Sequence, residues 1–219
     1  MFKVKDITMI YDMESDEKSF ALKGFDLELP DKGLIGIIGP SGSGKSTLMY
    51  CLSTLKKPVE GSILYNDREL TEISSKEREV LRRQEFGFIF QKHYLIPYMG
   101  AMDNVMVASM NQGFEAREKA RTFLKNLGIK DKEFRKKPSK LSGGQCQRVA
   151  IARAMINDPK VVFADEPTAS LDHENAYNVM NILKEYSKDR LVLVVTHDRS
   201  ILDGADRIIE MWDGEITEA

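Results

Sequence analysis

Three stretches of the chain are almost wholly apolar: LIGIIG (34–39), KVVFAD (160–165) and RLVLVVTH (190–197). Runs this short and rich in Val, Ile and Leu predict strands rather than buried helices, and strands apolar on both faces need cover on both faces. They predict a central parallel sheet wrapped by helices. Two stretches nearer the N-terminus, FKVKDITMI (2–10) and FALKGFDLELP (20–30), instead alternate apolar with polar residues, as half-buried antiparallel strands do. GSILYND (61–67) ends in the turn-forming pair Asn66-Asp67 and joins them in a smaller β layer. From about Tyr98 to Lys137 the apolar residues of AMDNVMVASM (101–110) and EAREKARTFLKNLGI (115–129) fall three or four apart, which predicts a helical insert ending at Pro138. The expected organisation is one α/β domain, with residues 1–97 and 138–219 forming the core and β layer and 98–137 the insert. No internal repeat or low-complexity segment interrupts it.

Composition changes this picture little. At 219 residues, 42% hydrophobic and 30% charged, the chain has the makeup of an ordinary globular protein. Its 32 basic and 34 acidic residues leave a net charge of -2, so no overall basic surplus points to nucleic acid as a partner. No apolar run approaches the roughly 20 residues that cross a bilayer, and MFKVKDITMI lacks the apolar core of a secretion signal. The expectation is a cytoplasmic protein. Cys51 and Cys146 follow neither metal-ligand nor redox spacing and read as packing residues.

The chemistry concentrates at strand ends. GPSGSGKST (39–47) fits the pattern G-x-x-x-x-G-K-[ST], with an apolar strand before it and the helical pattern KSTLMYCLSTL after it. Gly39, Ser41, Gly42, Ser43 and Gly44 would form a loop whose N–H groups cradle a phosphate. Lys45 would reach the β- and γ-phosphates, Ser46 would ligate Mg²⁺, and Thr47 would extend the cradle. VVFADEP (161–167) puts Asp165 at the end of a buried strand as a metal partner, followed by Glu166, an acid suited to polarising a water. VVTHD (194–198) puts His197 at another strand end, in reach of a γ-phosphate. A second anion site is readable in LSGGQCQRVAIARAM (141–155), where Ser142, Gly143, Gly144 and Gln145 open a helix. An ordinary cap explains Ser142, but not two poor helix formers directly after it. Because this helix rises from the insert, away from the first cradle, its anion site is expected to complete the nucleotide pocket of a second copy.

Taken in order, GPSGSGKST, FGFIFQ, LSGGQ, VVFADEP, ASLD and VVTHD resemble the motif series of ATP-binding-cassette ATPase subunits, over nearly the whole chain. The resemblance implies a P-loop NTPase of ABC type: a RecA-like parallel core, an antiparallel β subdomain and an inserted helical subdomain. It implies ATP and Mg²⁺ as ligands, and a head-to-tail homodimer that sandwiches ATP. Gln91 would touch Mg²⁺ and the attacking water and report to an integral membrane subunit, at the cytoplasmic face of the membrane. Tyr11 would stack on adenine, with Phe20 as the competing aromatic, and Asp172 would touch the opposite protomer. EFGFIFQKHYLIPYMGAMDNV (85–105) is similar to the ATPases of macrolide export and lipoprotein release. Importer ATPases are the rival within transport. They commonly carry an added C-terminal regulatory domain, whereas this sequence runs only to DGEITEA. Cassette proteins acting on DNA or the ribosome typically show coiled-coil insertions, zinc-binding cysteines or fused cassettes, and none is present in the sequence. A non-hydrolysing module would be expected to lack Glu166 or His197. Two departures from the usual pattern are Cys146, where a glutamine is common, and the basic KKPSKLSGG. Finally, His93, Tyr94, Leu95, Ile96, Tyr98 and Met99 cluster around Pro97 as the expected groove for a helix of the membrane subunit.

Overall fold

The computed structural model describes residues 1–11, 19–169 and 171–218. The three apolar stretches become β3 (Gly33–Ile38), β7 (Val161–Asp165) and β8 (Leu191–Val195), every residue of which is buried. They lie in a six-stranded sheet with β6 (Phe86–Ile89), β9 (Arg207–Trp212) and β10 (Glu215–Glu218), in the order β10-β9-β3-β8-β7-β6. All neighbours are parallel except β10, which returns antiparallel along β9. Register decides what this sheet can do. Ile37 of β3 and Asp165 of β7 both pair with Val195 of β8, so these three strands end level and their following loops meet at one edge.

The alternating stretches become β1 (Phe2–Tyr11), β2 (Ser19–Leu29) and β4 (Glu60–Tyr65), joined by the short β5 (Arg68–Glu69) in a four-stranded antiparallel sheet, order β2-β1-β4-β5. Asn66 and Asp67 make the β4–β5 turn, with φ of 47° and 62°, the paired left-handed geometry that suits a tight hairpin. The helix after the glycine loop, α1 (Lys45–Leu52), is covered by both sheets; its Leu48, Met49 and Leu52 share one core with Leu22 and Ile7 of the small sheet and Phe163 and Leu193 of the large one. Phe2, Tyr65, Phe86 and Phe163 stitch the sheets together through ring contacts of 4.7–6.3 Å, each worth about 0.5–1.5 kcal/mol beyond its buried area. Cys51 belongs to this core, and burial pushes its thiol up to about 12.

On the opposite face of the large sheet a second core collects α3 (Ala101–Met106), α4 (Phe114–Asn126), α5 (Gly143–Met155) and α6 (His173–Ser187). The remaining helix, α2 (Ser75–Gln84), buries only Leu81 and is held at its start by a capping box of Ser74 and Glu77. One expectation is corrected here. The helical pattern of 101–110 persists only to Met106, because Val107, Ser109 and Asn111 favour other backbone states; Ser109 Oγ donates to the Asn111 carbonyl at 2.6 Å instead of supporting a helix. By contrast α4 runs to Asn126 and ends on Gly128, whose φ of 75° closes a C-terminal turn in which Ile129 N–H donates to the Leu124 carbonyl. The segment around Pro138 is a single 3-10 turn, Pro138–Lys140. Among the described residues no helix is long and apolar enough to cross a membrane.

Candidate functional site

The level ends of β3, β7 and β8 bound a cleft of about 720 Å³. Into it face Ser41, Gly42, Gly44, Lys45, Ser46 and Thr47 from the glycine loop and α1, Asp165 and Glu166 from the end of β7, and His197 after β8. Gln91, two residues beyond β6, faces the same cleft, as do Tyr11 and Phe20 from the small sheet. Gly39 and Ser43 stand behind the wall: Ser43 is buried, and its Oγ lies 3.4 Å from the Lys45 ammonium. Two glycines are required by the chain's own geometry. Gly39 (φ 149°) and Gly44 (φ 96°) hold conformations that L side chains avoid, and a Cβ on either would collide with a backbone oxygen, of Met211 or of Ala21. The loop is thereby wrapped tightly enough for Lys45 Nζ to donate to the carbonyls of Gly39 (2.8 Å) and Pro40 (2.7 Å). Burial lowers the Lys45 ammonium from the ordinary lysine range, and the carboxylates of Glu166 and Asp165 work against that shift.

Ser46 and Tyr50 lie one turn apart on α1 and converge on Asp165: Ser46 Oγ donates to Oδ1 at 3.0 Å and the Tyr50 hydroxyl to Oδ2 at 3.1 Å. Burial raises the Asp165 carboxyl, while these two hydroxyls hold it down; burial and Asp165 together push the Tyr50 phenol up to about 12. Tyr50 is a site residue that sequence motifs did not single out, although its i,i+4 spacing from Ser46 puts it on the same helix face. Glu166 takes a left-handed backbone (φ 48°), which turns its side chain across the end of β8. There it accepts from Thr196 Oγ1 (3.2 Å), from His197 N–H (3.1 Å) and from His197 Nδ1 (2.6 Å). A carboxylate and an imidazole held this way form a proton-accepting and proton-donating pair at the mouth of a phosphate-shaped loop.

Tyr11 ends β1 with one ring face covered by the Lys56 ammonium, 4.1 Å from the centroid, and its hydroxyl between Lys56 Nζ (2.8 Å) and Thr47 Oγ1 (3.3 Å). Phe20 on β2 remains 46% exposed.

The predicted residues that this cleft does not gather are as informative. Ser142 through Gln145 do not line it. Ser142 is the N-cap of α5 in a reciprocal box, its Oγ accepting from Gln145 N–H (3.2 Å) while Gln145 Oε1 accepts from Ser142 N–H (2.9 Å). The box uses the N–H and Oε1 of Gln145, and among the described residues no acceptor within the chain takes the N–H groups of Gly143 and Gly144, the first two of the helix. Gly144 has no positive φ, and a Cβ there would meet Leu171 at an ordinary 3.4 Å, so the chain's own packing does not demand a glycine. Asp172 caps α6 through Asn175, whose backbone N–H holds the carboxyl below its usual range. Ser170 of the ASLD stretch lies outside the described residues. Gln147, not anticipated, ties α5 to the loop after Glu166 by donating to the Pro167 carbonyl at 2.7 Å.

The family model described as ABC transporter matches residues 22–169, spanning the glycine loop, Gln91, the 142–145 turn and both acids. The chain belongs to the ABC transporter family. It is 44% identical over 199 residues to the lipoprotein-releasing system ATP-binding protein LolD of Aquifex aeolicus, across 89% of this chain and 88% of that protein. It is 41% identical over 220 residues to the macrolide export ATP-binding/permease protein MacB of Vibrio parahaemolyticus, across 99% of this chain but 33% of that protein. The chain therefore spans about a third of the length of MacB. Among solved structures, the dimeric post-hydrolysis state of the ATP-binding cassette MJ0796 bound to ADP and Pi superposes with a TM-score of 0.92 at 36% identity, covering 100% of this chain and 97% of that one. As the fold and family entail, the chain is an ATP-binding ABC-type ATPase.

Proposed function

We propose that this chain is the nucleotide-driven motor subunit of an exporting, lipoprotein-releasing or mechanotransmitting ABC system, working as a head-to-tail homodimer against an integral membrane partner. The observation that carries the reading is the division of groups: Lys45, Ser46, Gln91, Asp165, Glu166 and His197 share one cleft, while the N–H groups of Gly143 and Gly144, which have no acceptor among the described residues, lie outside it. A second copy turned about a two-fold axis supplies the missing half of each pocket, and ATP then closes both at once. Ser46, Gln91 and Asp165 offer hard oxygen donors to one place, a set suited to Mg²⁺. Bound there, Mg²⁺ supplies charge neutralisation on the phosphate oxygens. Lys45 binds the β- and γ-phosphates, Glu166 takes the proton of the attacking water, His197 donates toward the γ-phosphate, and Asp172 faces the opposite protomer.

For the base, the ring face of Tyr11 not covered by Lys56 is the stacking surface. Tyr11→Ala is expected to weaken ATP binding by about 1–3 kcal/mol while leaving turnover at saturating ATP. Titration with a fluorescent nucleotide checks this; unchanged affinity, with a loss on Phe20→Ala instead, assigns the base to Phe20.

The membrane partner is proposed to dock on the 93–99 segment and the cleft beside it. That segment is fastened from two helices: Arg153 of α5 donates to the carbonyls of His93 and Tyr94 (both 2.7 Å), and the buried Asn104 amide accepts from Ile96 N–H at 2.6 Å. One residue of the expected groove is reassigned, since Leu95 packs against the core beneath α3. Tyr94 and Tyr98 are exposed, and Met99, Val107 and Phe114 line a cleft of about 540 Å³, Phe114 being 79% exposed. Tyr98→Asp is expected to leave folding and basal ATPase near normal while breaking co-purification with the co-expressed membrane partner and uncoupling ATPase from transport. Intact assembly and transport would put this surface outside the interface.

A further inference from the structure

Glu133 is a carboxylate with no part in the nucleotide cleft, yet it is only 6% exposed. It ends a single 3-10 turn, Asp131–Glu133, and one oxygen, Oε2, accepts from Lys130 N–H at 2.9 Å. The other, Oε1, accepts from Gln145 Nε2 at 2.7 Å, with Lys136 Nζ at 3.6 Å. The turn itself is fastened to the start of α3, where Met102 N–H donates to the Phe134 carbonyl and Ala101 N–H to that of Lys136. Backbone donation from Lys130 keeps the Glu133 carboxyl below its usual range, so it stays ionised and can only accept. An acceptor at that position forces the NH₂ of the Gln145 amide toward Glu133, and its oxygen is then necessarily the atom that faces Ser142 N–H. The capping box that shapes the start of α5 thus depends on a residue outside the helix.

We infer that Glu133 is a positioning residue for the Ser142–Gln145 turn: by fixing the amide orientation of Gln145 it holds the N–H groups of Gly143 and Gly144 in place for the phosphate of the opposite protomer. The inference rests on the sandwich-dimer reading above. It also makes a prediction opposite in sign to simple electrostatics. A negative charge beside an anion-binding turn ought to repel phosphate, so charge alone predicts tighter ATP-driven dimerisation once Glu133 is removed; loss of the brace predicts weaker dimerisation.

The test measures the ATP concentration at half-maximal dimerisation, by light scattering, for variants built on Glu166→Gln. Adding Glu133→Ala should raise it by about tenfold, the scale of one hydrogen bond to a charged group. Glu133→Gln leaves one acceptor oxygen for two donors, Lys130 N–H and Gln145 Nε2, and should raise the midpoint by an intermediate amount, about threefold. Gln145→Ala, which removes this bond together with the Oε1 that accepts from Ser142 N–H, should raise it at least as far as Glu133→Ala, and the double variant should match Gln145→Ala alone, because the bond is already gone. ATP binding by the monomer should be unchanged throughout. A midpoint unmoved or lowered by Glu133→Ala overturns the inference, as do single effects that multiply in the double variant. If Glu133→Ala fails to fold by thermal melting, Glu133→Gln carries the decision: a midpoint unmoved or lowered in that variant overturns the inference. Failure of Glu166→Gln itself to dimerise is a separate result, and it overturns the sandwich reading together with this one.

Discussion

Glu166→Gln is expected to bind ATP, to turn it over about 10²–10⁴-fold more slowly, and to accumulate as a dimer. The size of the effect follows from what the substitution preserves. Glutamine has the same length and shape, and its amide oxygen can still accept from the backbone N–H of His197, 3.1 Å from the carboxylate in this structure. Lost are the negative charge and the capacity to take a proton. The left-handed backbone at Glu166, fixed by its N–H donating to the Val195 carbonyl at 2.8 Å, is independent of the side chain, so the loop is expected to stay in position. Nucleotide affinity therefore changes little while the chemical step slows, and ATP persists in the pocket long enough to hold two copies together. Phosphate release and sizing chromatography with ATP measure the two halves of the prediction. A variant that hydrolyses at the parent rate removes Glu166 as the proton acceptor, and one that binds ATP tightly but stays monomeric removes the sandwich dimer.

Why some of this site was readable from the sequence and some was not has a physical answer. β3, β7 and β8 are buried on both faces, so their residues are apolar without exception until the chain reaches the cleft, and the change from Val and Ala to Asp165 and Glu166 marks the strand end directly. The glycine loop is readable because two of its glycines are demanded by backbone geometry. By contrast β6 is four residues long, β9 is only partly buried, β10 is a four-residue edge strand, and α2 buries a single leucine, so none carries a periodic signal long enough to separate from noise. The same limit explains Leu95. In a segment without regular structure the side chains follow no period, and only Asn104 and Arg153, reaching in from two helices, decide that Leu95 turns inward while Tyr98 turns outward.

Contacts that couple distant segments were the least legible. Gln147 reaching Pro167 and Glu133 reaching Gln145 join residues 20 and 12 positions apart, and nothing in either local pattern announces the partner. The Ser142 cap was anticipated, but its dependence on Glu133 emerges only when the 3-10 turn and α5 are seen side by side. These links bear on function because they join the two faces a motor of this kind must coordinate. α5 begins at the turn proposed to meet the opposite protomer, is tied to the loop after Glu166 by Gln147, and holds the 93–94 carbonyls through Arg153. A shift of α5 relative to the sheet would thus be felt both beside Glu166 and at the surface proposed for the membrane partner.

Lys45→Ala is expected to have the largest effect of any single substitution, abolishing turnover and weakening ATP affinity by about 10²-fold. Lys45 is 8% exposed and lies at the first position of α1, where the ammonium and the helix N-terminus would act together on a bound phosphate. In this structure its three N–H donors are directed at the Gly39 and Pro40 carbonyls and Ser43 Oγ, so the side chain also holds the loop closed. Alanine removes two kinds of support. The phosphates lose charge-assisted bonds of about 1.5–3 kcal/mol each, and the loop loses the cation that gathers its carbonyls. The second effect can be separated from the first by melting the protein without nucleotide: a loop that depends on Lys45 for its shape lowers Tm in the variant, whereas a purely ligand-directed lysine leaves Tm unchanged or raised, since a buried charge has been removed. Isothermal titration with ATP then reads the ligand-directed part. Near-normal ATP affinity in a folded Lys45→Ala protein would remove the lysine from the phosphate site and, with it, the assignment of the 39–47 loop as the nucleotide cradle.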